Sequence, residues 1–258
     1  MNIIQKELKK AEQYMIETDD IVDDIVKITV ANISKVEAMI KNDSAYLKSS
    51  DKFAEPIISS KGNIKYSGSS AYWITQLKDI LIYKKKEYEN NHTYEECIRE
   101  SIYAIDRENS THLNADGVGR KEILDRIIKI EKNNLIRLLN EPNKNNYELI
   151  KIISEKTSEG RENFSFATKF CHYMCFYLFE GKKEQDNFSI YDGVLVNALP
   201  KYCEKYNIKF PKKEIREDYK VYLDTVDQIR NKAYKEYGDK VSRNGFDHLI
   251  WYFHKGRI

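Results

Sequence analysis

The sequence predicts a mostly α-helical protein, and three observations carry that prediction. The chain of 258 residues holds only 10 Gly and 4 Pro, too few for the many tight turns of a β-sandwich or barrel. Lys, Glu, Ile and Leu instead fill long stretches without interruption. Aromatic residues make up 12% of the chain, which supplies enough buriable surface to exclude wholesale disorder despite 33% charged residues and a mean hydropathy of −0.67.

The N-terminal part, residues 1–119, is expected to be a helical region with one loop-rich stretch. Apolar residues recur at roughly helical spacing from Ile3 to Ile40, which predicts one long helix, or two helices with a break near Thr18-Asp19. Residues 42–70 are rich in Ser, Asp and Gly, which indicates loops and a candidate domain boundary. Brief β-compatible runs within that stretch predict two short strands, at Ile57-Ile58 and Ile64–Tyr66.

The other elements follow in chain order from apolar residues at helical spacing, and residues 120–258 are expected to form one core domain. Helices are predicted over Ala71–Tyr88, Thr93–Ile105, Arg120–Leu139, Tyr147–Lys156, about Ala167 to Phe179, and Val194–Tyr206. Pro142 should end the third of these, and Ser158-Glu159-Gly160 should connect the fourth to the fifth.

The apolar runs and the cysteines of the sequence exclude several classes of protein. No apolar run reaches the roughly 18 residues of a spanning helix, and the first residues lack the apolar block of a secretory signal, so a cytoplasmic protein is expected. The four cysteines should be reduced thiols. Cys171 and Cys175 share a helix face beside His172, but no second ligand pair has zinc-site spacing, so we expect no metal.

The segment Asn163–Phe179 is unusual because its helical part is apolar or aromatic on nearly every side, which predicts a buried helix. Lys169 and His172 lie three residues apart within it, on one face. Burial disfavours the charged form of an amine, and a neutral amine is a nucleophile. The alternative is that Lys169 extends its head to the surface past its aromatic neighbours.

Asp192 lies between a short extended run, Phe188–Ile190, and the start of the helix predicted from Val194. It could be an ordinary helix N-cap, a position that favours Asp. The chain between Lys169 and Asp192 is also long enough to finish one helix, turn, and return a carboxylate to a second helix N-terminus. Both groups could then face one cleft.

The run Ser165-Phe166-Ala167-Thr168-Lys169, followed by Ile190-Tyr191-Asp192, resembles the helix-hairpin-helix DNA glycosylase superfamily, especially its oxidised-guanine branches. The resemblance covers residues 147–206 most clearly, and Arg243–Trp251 resembles a closing helix beside the same cleft. It implies a helical glycosylase-like core in which a tight hairpin joins two helices, with Lys169 and Asp192 as the catalytic pair. Ser165 and Ala167 stand where the family usually has two glycines, and Ile-Tyr-Asp replaces the usual Pro-Val-Asp.

The resemblance further implies a DNA glycosylase, with or without AP lyase activity, that needs no cofactor and acts on duplex DNA. Lys169 would form a Schiff base with the sugar of a flipped nucleotide, and Asp192 would stabilise the positive charge that develops there. Oxidised guanine is the default base. Residues expected to line the base pocket or cleft are Phe166, Phe170, His172, Tyr173 and Trp251. Residues expected at the DNA backbone are Ser165, Ala167, Lys201, Lys205, Lys212 and Lys213.

Charge distribution is compatible with DNA binding. Residues 161–258 hold 18 Lys+Arg and 14 Asp+Glu, a net charge of +4, whereas residues 1–160 carry −2. A solvated helix face in a lysine-rich chain explains the same excess. A second glycine-containing motif, Gly117-Val118-Gly119-Arg120-Lys121, could be a phosphate-binding turn or a plain loop before a helix.

Two other functions stay open from the sequence. The first is a nucleic-acid-binding module on the same fold without lysine chemistry, since a fold does not fix an activity. The second is a helical protein-interaction factor that uses the helices of residues 3–40 as its partner surface. Nothing in the sequence fixes the oligomeric state, the excised base or whether strand cleavage follows.

Overall fold

A computed structural model describes residues 15–42, 56–58, 64–66, 69–89 and 91–258. Over these ranges the chain is mostly α-helical, as predicted, with eleven α-helices and two two-stranded antiparallel sheets. The strands are β1 (Ile21–Val22), β2 (Ile25–Val26), β3 (Pro56–Ile58) and β4 (Ile64–Tyr66). The helices are α1 (Val30–Asn42), α2 (Ser70–Leu81), α3 (Tyr94–Asn109), α4 (Gly119–Ile128), α5 (Lys132–Asn140), α6 (Glu148–Ser154), α7 (Phe164–Leu178), α8 (Gly193–Lys205), α9 (Glu214–Glu217), α10 (Tyr219–Tyr237) and α11 (Arg243–His254).

The chain divides into two compact units. The first unit combines residues 1–46 with residues 189–258, and the second unit is the continuous stretch 47–188 between them. The break at residue 46 falls inside the loop-rich stretch where a candidate boundary was predicted. The predicted boundary between residues 119 and 120 lies within the second unit, at the start of α4, so the compact units do not follow it. None of the helices in the described ranges has the length and apolar character needed to span a bilayer.

A β-hairpin replaces part of the predicted N-terminal helix, so that prediction is wrong over residues 21–26. Ile21 pairs with Val26 and Val22 with Ile25. Asp23 and Asp24 form the turn with φ of 50° and 60°, the left-handed conformations that a two-residue hairpin loop requires. The apolar residues are β-branched and flank two turn-forming residues, a local pattern that outweighs the approximate helical spacing. Residues 3–14 of the predicted helix lie outside the described ranges.

The strands β3 and β4 confirm the prediction for the loop-rich stretch. They pair antiparallel, with Ile57 opposite Lys65. The helix predicted from Ala71 to Tyr88 is shorter than expected, because α2 ends at Leu81 and Lys84 adopts a positive φ of 53°.

The single helix predicted over Arg120–Leu139 is two helices, α4 and α5. The periodicity that predicted one helix required the polar Asn134 on its apolar side. The chain breaks instead at residues 129–131, where Glu131 has the extended ψ of 144°. The break places Leu135, Leu138 and Leu139 in the core and leaves Asn134 half-buried, where it accepts hydrogen bonds from Arg137.

The helix α7 lies in the core of the second unit, so the prediction of a buried helix in Asn163–Phe179 is confirmed. It packs against α2, α3, α5 and α6. Ten of its fifteen residues are buried, and they lie on every side of the helix. A helix surrounded by four others must be apolar all round, as the sequence is.

The turn before α4 gives structural reasons for both glycines of the Gly117-Val118-Gly119 motif. Gly117 has a φ of +82°. A Cβ on Gly119 would lie 2.0 Å from the Leu113 carbonyl oxygen, so only glycine fits there. The Asp116 carboxylate accepts hydrogen bonds from the Val118 and Gly119 N–H groups and from the Thr157 hydroxyl. The N–H groups of this turn are therefore bound within the protein. The geometry favours a structural loop at this motif.

Replacing Gly119 by Ala should destabilise the protein by about 1–3 kcal/mol, because the added methyl group overlaps a main-chain oxygen that cannot move freely. Gly193→Ala is the matched control, since a Cβ there meets nothing within 4 Å and Ala favours the helix. Urea unfolding of both variants measures the difference. Equal unfolding free energies for the two variants would contradict the close approach at Gly119.

Candidate functional site

Lys169 lies in the second unit, on the second turn of α7, and its residue surface is 8% exposed. Phe166, Phe170 and His172 on the same helix are buried around it. Most of the Lys169 residue is therefore shielded from solvent. The expectation of a buried lysine is confirmed, and burial disfavours the charged form of an amine.

The N-terminus of α7 is not capped by a side chain. Asn163 occupies the N-cap position but makes no capping hydrogen bond, and the first turn contains no acidic residue. Asn163 is 3% exposed, and neither its amide oxygen nor its amide nitrogen has a hydrogen-bond partner within the described part of the chain. The positive end of the α7 dipole is therefore not neutralised from this first turn. The sequence could not reveal this, because Asn is among the residues that ordinarily cap helices.

The hairpin predicted at Ser165–Ala167 is wrong. Both residues belong to the first turn of α7, and the Ala167 N–H donates to the Asn163 carbonyl at 2.9 Å. That N–H is therefore not available to a DNA phosphate, while Ser165 is half-buried and its backbone role stays a prediction. The tight turn that joins α6 to α7 lies earlier, at Thr157–Arg161, where Gly160 has a φ of +82° and the Thr157 N–H donates to the Arg161 carbonyl.

The predicted base-pocket residues of α7 divide into two groups. Phe166, Phe170 and His172 are buried, and the His172 Nδ1–H donates to the Phe188 carbonyl at 2.9 Å. Tyr173 is half-buried, stacks on Tyr177 with ring centroids 6.4 Å apart, and donates its hydroxyl proton to Asn109. Packing within the second unit accounts for the first group, so Tyr173 is the member of this helix best placed to meet a ligand.

Asp192 belongs to the first unit and is the N-cap of α8, as predicted. It has extended backbone angles, and its Oδ1 accepts hydrogen bonds from the Val194 and Leu195 N–H groups at 2.9 and 3.0 Å. Its Oδ2 has no hydrogen-bond or ion-pair partner among the described residues. One oxygen thus fixes the carboxylate in place while the other keeps its capacity to bind a cationic centre.

The two residues before Tyr191, Ser189 and Ile190, belong to no helix or strand, and we call them the braced segment. Tyr219 binds both main-chain groups of Ser189: its hydroxyl accepts from the N–H and donates to the carbonyl, each at 2.8 Å. Asp247 accepts from the Ser189 hydroxyl at 2.6 Å and from the Ile190 N–H at 2.7 Å. Tyr222 donates its hydroxyl proton to the Ile190 carbonyl.

None of the three bracing residues was predicted from the sequence. One signal was present for Asp247, since it is a charged residue beside Phe246 and shares a face with Ile250 on an otherwise apolar helix face. The two tyrosines carry no local signal in a chain with 19 Tyr. Burial, and then the charge of Asp247, raise the pKa of Tyr222 well above its ordinary value, so its hydroxyl stays a donor.

The lysines predicted to contact the DNA backbone, all in the first unit, differ in whether they form ion pairs within the protein. Lys201 pairs with Asp24 at 3.5 Å and Lys205 pairs with Glu236 at 3.3 Å. Lys212 and Lys213 are exposed and make no ion pair with any residue of the described ranges. These two are therefore the stronger phosphate-binding candidates.

Trp251 is half-buried on α11. The Lys255 ammonium lies 5.7 Å, and the Arg257 guanidinium 5.4 Å, from the centre of its indole ring. Trp251 and Asp192 belong to the first unit and Lys169 to the second, so a cleft shared by all three stays a prediction.

Comparison with models of protein families, with curated proteins and with solved structures gives no match for this chain. Within the described ranges, no three His, Cys, Asp or Glu side chains come together in a group that could hold a metal ion. A function for this chain can therefore be inferred only from its own residues and their geometry.

The four thiols should react slowly with a thiol reagent such as Ellman's reagent while the protein is folded. All four cysteines are buried, and burial raises the pKa of Cys97 to about 12, that of Cys203 to about 11, and those of Cys171 and Cys175 well above their ordinary value. The reactive thiolate is thus scarce at pH 8, and labelling should be slower than in denaturant by about 10-fold or more. Fast native labelling of either α7 cysteine would show that this helix is not buried in solution.

Proposed function

We propose that the chain is a DNA glycosylase that excises a damaged or modified base through a Schiff base on Lys169. The observation that carries the proposal is the burial of this lysine within the apolar helix α7. Burial disfavours the charged form of an amine, and only the neutral amine can attack carbon. The resemblance of residues 147–206 to the helix-hairpin-helix glycosylases supplies the reaction class.

In the proposed reaction, the Lys169 nitrogen attacks the C1′ atom of a flipped nucleotide as the bond from C1′ to the base breaks. The base leaves with the electron pair of that bond and takes up a proton. Opening of the sugar ring and loss of the amine proton give the imine, which water hydrolyses to release the lysine. No metal or organic cofactor takes part, since the amine supplies the chemistry.

Asp192 would stabilise the positive charge that develops on the sugar. Its Oδ2 atom has no partner among the described residues, whereas its Oδ1 is held by two N–H groups of α8. A carboxylate fixed in this way needs little reorganisation when the charge forms, which is the condition for effective electrostatic catalysis.

Two features support DNA as the partner. The first turn of α7 has no capping side chain and no acidic residue, so the positive end of the helix dipole favours an anion such as a phosphate. Lys212 and Lys213 are exposed beside α9 and free of ion pairs in the described structure. We further propose a cytoplasmic location, a role in base excision repair or defence, and oxidised guanine as the first base to test.

Lys169→Gln should abolish covalent trapping, because the variant keeps a polar side chain, one atom shorter, but lacks the amine. The experiment is borohydride trapping on duplexes that each carry one altered base, with 8-oxoguanine, an alkylated purine, uracil and an abasic site in the panel. The matched control is Lys121→Gln, since Lys121 is 80% exposed and pairs with Asp125 on the surface. Trapping of Lys169→Gln at the parental level would contradict the assignment of the nucleophile.

Asp192→Asn should slow base release by about 10²-fold or more while leaving the melting temperature nearly unchanged, since Asn caps helices as well as Asp does. The matched control is Asp218→Asn, because Asp218 caps α10 by accepting from the Lys220 N–H. Single-turnover excision and thermal unfolding of both variants separate the two roles. Parental excision by Asp192→Asn would leave Asp192 as a structural cap.

A second function, DNA binding without lysine chemistry, is favoured by one observation. Phe166 and Phe170 are packed in the core beside Lys169, and this packing leaves little room for a flipped base on that side of α7. A pure binding module would shift damaged duplexes in a gel assay but would give no borohydride adduct with any of them.

A further inference from the structure

The braced segment lies outside the helices and strands of the described structure. Its main-chain groups are buried, and unpaired buried N–H and C=O groups are costly. Side chains of α10 and α11 supply these partners, so that all four main-chain polar groups of Ser189 and Ile190 are hydrogen-bonded. The path of the chain just before Asp192 is therefore fixed by three distant side chains.

Asp247, on α11, binds the main chain close to Asp192. Its two oxygens receive two different donors, the Ser189 hydroxyl and the Ile190 N–H, and the second of these lies only two residues before Asp192. Asp247 is 2% exposed, so its hydrogen bonds do not compete with bulk water. Charged acceptors give the stronger class of hydrogen bond, and both bonds are short.

We propose that Asp247 is the positioning residue for Asp192: its bidentate grip on Ser189 and Ile190 sets where the Asp192 carboxylate lies. This inference rests on the proposed function for its catalytic consequence. Asp247 touches neither the sugar nor the base; it acts by holding the main chain that delivers Asp192 to the start of α8.

The chemistry of the two donors predicts a graded series of variants. Asp247→Asn keeps one acceptor oxygen for the Ile190 N–H, and its amide can donate to the Ser189 hydroxyl oxygen after that hydroxyl rotates. Asp247→Leu is similar in size and loses both bonds. We therefore expect Asp247→Asn to preserve much of the function and Asp247→Leu to lose it.

The expected effect of Asp247→Leu on single-turnover excision is a loss of about 10- to 100-fold, the scale on which a misplacement of roughly 1 Å acts. Asp227→Asn is the control for a merely structural effect. Asp227 binds Arg230 and Arg243 and so links α10 to α11, but it makes no contact with the braced segment. All rates are measured well below the unfolding temperature of the least stable variant.

Hydrogen exchange of the full-length protein tests the positioning role without reference to activity. Asp247→Leu should raise amide exchange in a peptide that spans residues 189–196, whereas Asp227→Asn should not, and Asp247→Asn should lie between the parent and Asp247→Leu. Should Asp247→Leu fail to fold, the Asp247→Asn and Ser189→Ala variants each remove part of the grip and carry the same test in milder form.

The outcomes separate the two proposals. Faster exchange at residues 189–196 together with slower excision supports the positioning role. Unchanged exchange in this peptide overturns it, whatever the excision rates are. Faster exchange in a protein whose parent forms no borohydride adduct and excises no base means that the glycosylase proposal fails, while Asp247 still sets the position of Asp192.

Discussion

The requirement that every buried main-chain N–H and C=O find a partner shapes the part of the first unit that carries Asp192. Ser189 and Ile190 belong to no helix or strand, and two tyrosines and an aspartate complete their main-chain hydrogen bonds. Because these side chains come from α10 and α11, the packing of both helices determines where the chain turns into α8. The position of the Asp192 cap, and with it the orientation of its unpartnered oxygen, follows from that packing.

The sequence predicted those elements whose cause is local. The apolar surface of α7, the cap at Asp192 and the strand pair around Gly62 all follow from neighbouring residues, and each is present. The hairpin at residues 21–26 and the break at residues 129–131 were missed, because in both places apolar spacing matched a helix approximately while turn geometry or core packing decided the outcome. The turn before α7 was also predicted at the wrong place. It lies at Thr157–Arg161, where Gly160 adopts a positive φ, and not at Ser165.

For the candidate site, the sequence singled out the two groups with unusual local settings, a lysine in an apolar helix and an aspartate before a helix. It could not find the residues that hold the second of them. Tyr219 binds 30 residues away along the chain, and Asp247 binds 57 and 58 residues away. Hydrogen bonds of that sequence separation depend on tertiary packing, which periodicity and capping rules do not describe. Only Asp247 has a local sequence feature that indicates its role, because it is a charged residue on an apolar helix face.

The division of the first unit into two chain segments has a consequence for how the protein is made. Residues 1–46 leave the ribosome before the whole of the second unit, and their partner segment, residues 189–258, follows that unit. At a synthesis rate of about 5–20 residues per second, the N-terminal segment therefore waits for roughly 10 s or more without the helices that cover β2 and α1. The continuous second unit can acquire its core around α7 during that time. The bracing of Ser189 and Ile190 by Asp247 correspondingly follows the second unit, because it requires α11 to have been synthesised.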